Sequence, residues 1–113
     1  MADDAVPWGS LRSWNPAFED VVLTEAQVTF GRGKNCLVRY AKEKSLSKIH
    51  ATICYEFVTD REIAVFVEDS SSNGTFVDGT RVGKGNRVRL RDGGNVSFVG
   101  PHDANVDGGP RAL

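Results

Sequence analysis

Hydrophobic and polar residues alternate along this chain in short runs, and no stretch sustains the period of 3.6 residues that marks an amphipathic helix. The runs are rich in valine, isoleucine, threonine and phenylalanine, and turn residues separate them. The predicted strands are Val21–Leu23, Gln27–Phe30, Leu37–Tyr40, His50–Phe57, Ile63–Val67, Thr75–Val77, Arg87–Arg91 and Val96–Val99. Many short strands with glycine-rich turns and no helix indicate an all-β protein, an antiparallel sandwich or barrel.

Two of these strands also predict which side chains face the core. In the fourth strand, Ala51, Ile53, Tyr55 and Phe57 share one face because side chains alternate along a strand. The strand Arg87–Arg91 places its apolar residues inward and its arginines outward.

Two glycine-based turn signals stand close together. Asn73-Gly74 and Asp78-Gly79 flank the short apolar segment Thr75–Val77, and each dipeptide is typical of a hairpin turn. Hairpin turns account for the glycines. They do not account for Ser70–Asn73, a cluster of hydroxyl and amide groups at the tip of a loop.

Composition limits the class of protein. With 113 residues, 40% hydrophobic and 26% charged, the chain has the size and composition of one soluble globular domain. No apolar run approaches a membrane span, and the acidic start Met1–Asp4 does not resemble a signal peptide, so we expect an intracellular protein without membrane contact. In a reducing compartment, Cys36 and Cys54 are expected to be free thiols.

The distribution of charge is more informative than its sum. A net charge of -1 argues against a general nucleic-acid-binding protein. Segment 32–48, however, holds six basic residues and one acid, and segment 81–91 holds five basic residues and none. Two local excesses in a neutral domain point to an anionic ligand smaller than a duplex.

A phosphate ester held by loops needs a guanidinium, hydroxyl donors and backbone N–H groups around one concavity. Arg32 follows a predicted strand and stands between two glycines, which allow the backbone to turn sharply beside it. Ser47 and Lys48, just before the strand that begins at His50, provide a hydroxyl and a second cation.

Three loops taken in order resemble the signatures of the forkhead-associated (FHA) family. They are Gly31-Arg32, then Ser47-Lys48-Ile49-His50, then Asp69-Ser70-Ser71-Ser72-Asn73-Gly74-Thr75, which match G-R, S-x-x-H and D-x-S-x-N-G-T. Val77-Asp78-Gly79 resembles the usual continuation V-N-G, with Asp replacing Asn. The resemblance covers residues 6–100 and implies an FHA-type antiparallel β-sandwich whose loops at one end bind phosphothreonine peptides.

The resemblance also implies a role for each site residue. Arg32 and Ser47 would hold the phosphate, with a further contact from Lys48. Asn73 would hydrogen-bond the peptide backbone beside the phosphothreonine, and Ser72 lies where a second hydroxyl contact is common. The residues that would maintain the conformation of the loops are Gly31, His50, Asp69, Ser71, Gly74 and Thr75.

Wider context follows from the same resemblance. Val6–Leu11 is similar to the first strand of FHA domains that precede the catalytic domain of DNA-damage checkpoint kinases, so a Ser/Thr protein kinase and a nuclear location are expected for the intact protein. Its partners would be phosphothreonine-containing proteins, and homodimerisation is left open. Segment Tyr40–Leu46 would help to select the residue three after the phosphothreonine. Residues 1–5 and 101–113 are expected to be loosely ordered tails, with the final strand of the family truncated.

Other classes of function fit the sequence less well. Ser47, His50 and Asp69 could form a nucleophilic triad, but no G-x-S-x-G elbow surrounds the serine. A zinc site built from Cys36, Cys54, His50 and His102 is opposed by the spacing of His50 and Cys54, which lie about 13 Å apart on a strand. We therefore expect no catalytic centre, metal or cofactor. The alternative to peptide binding is a small barrel that binds nucleic acid through Arg87, Arg89 and Arg91.

Overall fold

A computed structural model describes residues 6–14 and 18–98 of the chain. The strands are β1 (Gly9–Leu11), β2 (Val21–Leu23), β3 (Gln27–Gly31), β4 (Val38–Arg39), β5 (Ala51–Phe57), β6 (Ile63–Asp69), β7 (Phe76–Val77), β8 (Thr80–Arg81), β9 (Arg87–Leu90) and β10 (Val96–Ser97). No helix forms within these residues, so none of them crosses a membrane as a helix. The predicted all-β class is confirmed.

The largest sheet has five strands in the order β4-β3-β5-β6-β9. Its pairings are antiparallel except for β3 and β4, which run parallel in the register Phe30↔Val38 and Gly31↔Arg39. The sequence predicted only antiparallel pairing. Parallel neighbours normally need a long crossover, because the chain must return to the end of the sheet where the first strand began. Here β3 and β4 share only two residue pairs, so the short connection 32–37 can bring the chain back.

Two smaller sheets form the second layer. β1 pairs with β2, and β7 lies between β10 and β8. The β7–β8 hairpin closes through Asp78 and Gly79, whose φ angles of 51° and 82° are both positive, as a type I′ turn requires. The hairpin predicted at Asp78-Gly79 is therefore present, with Asp filling a position that Asn also tolerates.

The core lies between the layers. In the five-stranded sheet, Val28, Ile53 and Val67 stand side by side in register and are almost fully buried. Phe30 from this sheet packs against Phe98, with ring centroids 5.5 Å apart. The cluster is completed by Leu23, Leu46, Ala51, Val77, Val82 and Val96.

Three expectations from the pattern are wrong. Phe57 is 69% exposed because β5 extends beyond the core, and Val88 is 40% exposed because β9 is the edge of its sheet. Asn73-Gly74 does not close a hairpin: β6 pairs with β5 and β9, whereas β7 pairs with β8 and β10, so this dipeptide lies in a connection between two sheets. The predicted tails, residues 1–5 and 101–113, and the end of the last predicted strand at Val99 lie outside the described residues.

Candidate phosphopeptide-binding site

Strand direction brings the three motif loops to one end of the sandwich. Phe30 near the end of β3 pairs with Ala51 at the start of β5, and Ala51 pairs with Asp69 at the end of β6. The loop after β3, the loop before β5 and the loop after β6 therefore leave the sheet at the same edge. This is the end at which the sequence places its candidate binding residues.

Gly31 allows the first two loops to touch. A methyl group on Gly31 would lie 2.8 Å from the carbonyl oxygen of Ser47 and 2.9 Å from the amide nitrogen of His50, and nearer still to the carbonyl oxygen of Lys48. No side chain fits in that space. The Arg32 N–H then donates to Ser47 O (3.0 Å), and the Gly33 N–H donates to Lys48 O (2.9 Å), so backbone hydrogen bonds join the two loops.

The Arg32 side chain is half-buried and oriented by one hydrogen bond. Its Nε–H donates to the carbonyl oxygen of Leu46 (3.0 Å). Among residues 6–14 and 18–98, no group accepts from the two terminal guanidinium nitrogens of Arg32. The guanidinium is thus held at its inner edge, and its outer edge can donate to a ligand.

The third loop is tied to the second by two side chains. Ser47 Oγ accepts from the Ser72 N–H (3.0 Å), and Asn73 Nδ2 donates to the carbonyl oxygen of Ser45 (2.9 Å). The Ser47 hydroxyl proton and Asn73 Oδ1 have no partner within the described part of the chain. Together with Arg32, these groups form a continuous rim.

His50 also connects the second loop to the third, from the buried side of the site. It is fully buried, and its Nδ1 accepts from the Ser47 N–H (3.1 Å), so the proton of a neutral ring must reside on Nε2. Nε2–H then donates to Gly74 O (2.8 Å). Burial lowers the pKa of His50, although the bond to Gly74 and the charge of Asp69 oppose that shift. The neutral imidazole is therefore the form that fits this site.

Asp69 organises the loop that carries Ser72 and Asn73. Its Oδ1 accepts from the Ser71 N–H (2.8 Å), the Ser71 hydroxyl (2.6 Å) and the Thr75 hydroxyl (2.9 Å). Ser71 Oγ in turn accepts from the Gly74 N–H (2.8 Å). Desolvation would raise the pKa of Asp69, but the hydrogen bonds from Ser71 and Thr75 outweigh it and hold that pKa below its usual value.

Lys48 contributes more through its backbone than through its side chain. Its carbonyl oxygen accepts from the Gly33 N–H and from the buried thiol of Cys36 (2.9 Å), while the side chain is exposed at the rim. Cys36 and Cys54 are both free. The carbonyl oxygens of Ser45 and Leu46 also position the site, and sequence reasoning missed them because a backbone acceptor leaves no residue signature.

Comparison with known proteins agrees with this geometry. The family model described as FHA domain matches residues 28–99, which is more than half of the chain. The chain belongs to the FHA domain family. The fold and the family predicted from the three loop motifs are therefore confirmed, and an FHA domain is a binding module.

Relatives of this FHA domain include much longer proteins. A probable serine/threonine-protein kinase of Dictyostelium discoideum, fhkE, is 43% identical over 93 residues, which cover 81% of this chain and 13% of the kinase. A second such kinase from that organism, fhkC, is 27% identical over 92 residues, which cover 81% of this chain and 16% of the kinase. Nibrin of Danio rerio is 34% identical over 80 residues, which cover 71% of this chain and 9% of nibrin. The chain thus spans less than a fifth of each of these relatives.

Solved structures share the fold. An FHA domain studied for phosphothreonine-dependent interactions superposes with a TM-score of 0.62 at 23% identity, covering 77% of this chain and 82% of that one. The MEK1 FHA domain in complex with a phosphothreonine peptide of HOP1 gives a TM-score of 0.63 at 18% identity, covering 75% and 85%.

The contacts of His50 and Asp69 bear on the alternative catalytic triad and zinc site. His50 Nδ1 accepts from the backbone of Ser47 rather than from its hydroxyl, and the carboxylate of Asp69 binds Ser71 and Thr75, so these residues do not have triad geometry. In the described segments, no three His, Cys, Asp or Glu side chains form a metal-binding group, and His102 lies outside those segments.

The arginine stripe proposed for nucleic acid is partly occupied. Arg87 Nη1 lies 2.6 Å from Glu56 Oε2, and its guanidinium carbon lies 4.0 Å from the centroid of the Phe66 ring. Arg87 is therefore engaged with its own sheet, although all three arginines of the stripe are exposed.

Proposed function

We propose that this FHA domain binds phosphothreonine in extended peptides and so mediates phosphorylation-dependent protein–protein interaction. One observation carries the proposal: the outer edge of the Arg32 guanidinium and the Ser47 hydroxyl, both without acceptors in the described residues, share a rim that backbone hydrogen bonds hold together. Such a preorganised pair of donors suits a doubly charged ester.

The phosphate can contribute enough binding free energy to make the interaction depend on phosphorylation. A hydrogen bond to a charged group contributes roughly 1.5–3 kcal/mol, so two that form only with the modified threonine separate the two peptides by about a hundredfold to ten-thousandfold in affinity. Lys48, exposed beside Ser47, adds a more solvent-screened attraction.

Peptide orientation is assigned to the third loop. Asn73 Nδ2 is used by Ser45 O, and this leaves Oδ1 to accept a backbone N–H of the ligand. The Ser72 side chain is exposed next to it and can offer a second hydroxyl to the phosphate. An asparagine fixed at one end of its amide can hold the peptide in an extended pose.

A degenerate phosphothreonine peptide library tests the proposal, with phosphoserine and unmodified libraries as matched controls. Selective retention of phosphothreonine peptides is the expected result. Equal retention of the three libraries, or none of any, would refute phosphothreonine recognition.

We further infer that the intact protein is a Ser/Thr protein kinase in which this domain recruits phosphorylated partners, and that it acts in the nucleus. The kinase is supported by the match to the kinase fhkE at 43% identity, in which the matched region is only 13% of the kinase. The nuclear location rests on the resemblance to FHA domains of DNA-damage checkpoint kinases. Phosphorylation of Ser/Thr peptides by the purified intact protein and a nuclear signal in fluorescence microscopy are expected. An intact protein without kinase activity, or one found only in the cytoplasm, would contradict these two inferences respectively.

A further inference from the structure

Arg81 places a second guanidinium next to the peptide-binding loop. A methyl group on Gly74 would lie 3.5 Å from Arg81 Cζ and 3.0 Å from the edge of the Phe76 ring. Gly74 directly follows Asn73, the proposed contact to the peptide backbone. Arg81 therefore adjoins the rim on the side of Asn73-Gly74, whereas Arg32 adjoins it on the side of Ser47.

The position of Arg81 is fixed by its backbone. Arg81 pairs with Phe76 across the β7–β8 hairpin, and the N–H of the next residue, Val82, donates to Thr75 O (2.9 Å). Thr75 is itself bound to the buried carboxylate of Asp69. The hairpin thus places Arg81 against a loop that side-chain hydrogen bonds already hold in one conformation.

Within the part of the chain that the structure describes, Arg81 is not paired with an acid. Its side chain is exposed, and in segments 6–14 and 18–98 it forms no ion pair or side-chain hydrogen bond. Arg87 gives the contrast, because it is paired with Glu56 and stacked on Phe66. An exposed arginine on an anchored backbone beside a binding surface, with no partner among the described residues, is suited to an anionic group on the ligand.

We propose that Arg81 forms a second anionic subsite, which selects phosphothreonine peptides that carry a carboxylate or a second phosphate near the phosphothreonine. This inference rests on the proposed function. Because Gly74 directly follows Asn73, the proposed contact to the peptide backbone, the selected group is expected among the residues that flank the phosphothreonine.

The test uses phosphothreonine peptides with a glutamine background, in which a single Glu is moved through the flanking positions. Affinity is measured by fluorescence anisotropy. One position is expected to raise affinity about three- to fivefold, the upper range for a solvent-exposed charge pair. A phosphoserine at that position provides the second arm and reports whether a phosphate is preferred over a carboxylate.

Three variants test whether Arg81 is responsible for the gain in affinity. In Arg81→Gln the ratio of the two affinities, with and without the acidic group, is expected to fall to about one, whereas Arg61→Gln in the turn between β5 and β6 should retain the full ratio. Arg61 is a matched control because it lies at the opposite end of β5, roughly 20 Å away. Arg81→Lys, which keeps the charge but not the fork, should retain part of the gain.

The outcomes separate this inference from the proposed function. If the glutamine-background phosphopeptide binds but no acidic position improves affinity, or if the gain persists in Arg81→Gln, the Arg81 subsite is refuted and phosphothreonine binding stands. If that peptide does not bind at all, both are refuted. Thermal melting of each variant verifies that the compared proteins are folded.

Discussion

His50 Nε2 donates to the carbonyl oxygen of Gly74 across 2.8 Å, although the two residues are 24 positions apart. The other ring nitrogen accepts from the Ser47 N–H, so one buried imidazole joins the loop before β5 to the loop after β6. Neither bond involves the proposed ligand. The histidine of the S-x-x-H motif therefore holds together the two loops that carry the proposed binding groups.

Replacing His50 by Ala is expected to destabilise the domain by about 2–5 kcal/mol, because it leaves the buried N–H of Ser47 and the C=O of Gly74 without partners. Urea unfolding monitored by circular dichroism measures the change. A midpoint equal to that of the wild-type protein would show that the two loops are held by other contacts.

The lowered pKa of His50 makes stability depend on pH. The unfolded state has a histidine pKa of about 6.5 and the folded state a lower one, so the unfolded state binds more protons between these values. The contribution of the neutral imidazole is complete above pH 6.5 and is lost as pH falls through the folded pKa. Unfolding in urea at pH 7.5 and pH 5 should show the loss, and His50→Ala should show a smaller one. Equal losses in the two proteins would assign the effect to other groups.

Asp69 is expected to be the most sensitive carboxylate in the domain. Asp69→Ala removes the acceptor of Ser71 and Thr75 and should cost about 2–4 kcal/mol of unfolding free energy, whereas Glu68→Ala, at the exposed neighbouring position, should be nearly neutral. Because the pKa of Asp69 is lowered in the fold, its contribution is present above the unfolded pKa near 3.9 and disappears on further acidification. Similar losses in the two variants would contradict this account.

Gly31 is required for space rather than for an unusual backbone angle. Gly31→Ala forces apart the loops that meet at Ser47 O and His50 N, so both stability and phosphopeptide affinity should fall. Gly9→Ala is the matched control, because its methyl group would contact only Leu23 Cδ1 at an ordinary 3.5 Å. Thermal melting and anisotropy measure the two effects. An Ala at position 31 that changes neither quantity would refute the close approach of the loops.

Alternation of residues predicted most of the strands but not how they pair. β3 and β5 lie close to their predicted positions because buried apolar residues alternate in them, as Val28 and Phe30 do in β3. β2 and β6 were found as short runs of apolar residues. β8 was missed because Thr80–Arg81 has no apolar residue, and it exists only through pairing with β7. The parallel pairing of β4 and the exposure of the Phe57 side chain depend on which strands lie beside them, and local sequence does not encode this.

Within the site, the sequence could predict which side chains contribute but not which backbone groups position them. The loop motifs located Arg32, Ser47 and Asn73 at one end of the sandwich, because three separate loops had to agree. The acceptors that orient Arg32 and Asn73 are the carbonyl oxygens of Leu46 and Ser45, which any residue type could supply. Hydrogen bonds of this kind become visible only in three dimensions.

The most direct measurement is isothermal titration calorimetry of one phosphothreonine peptide against the wild-type domain, Arg32→Ala and the control Arg61→Ala, each verified as folded by circular dichroism. Arg32 presents the outer edge of its guanidinium at the rim, whereas Arg61 lies in the distant turn between β5 and β6. We expect wild-type affinity for Arg61→Ala and no measurable binding for Arg32→Ala. Wild-type affinity in a folded Arg32→Ala protein would contradict the assignment of Arg32 as the phosphate anchor, and with it the proposed site.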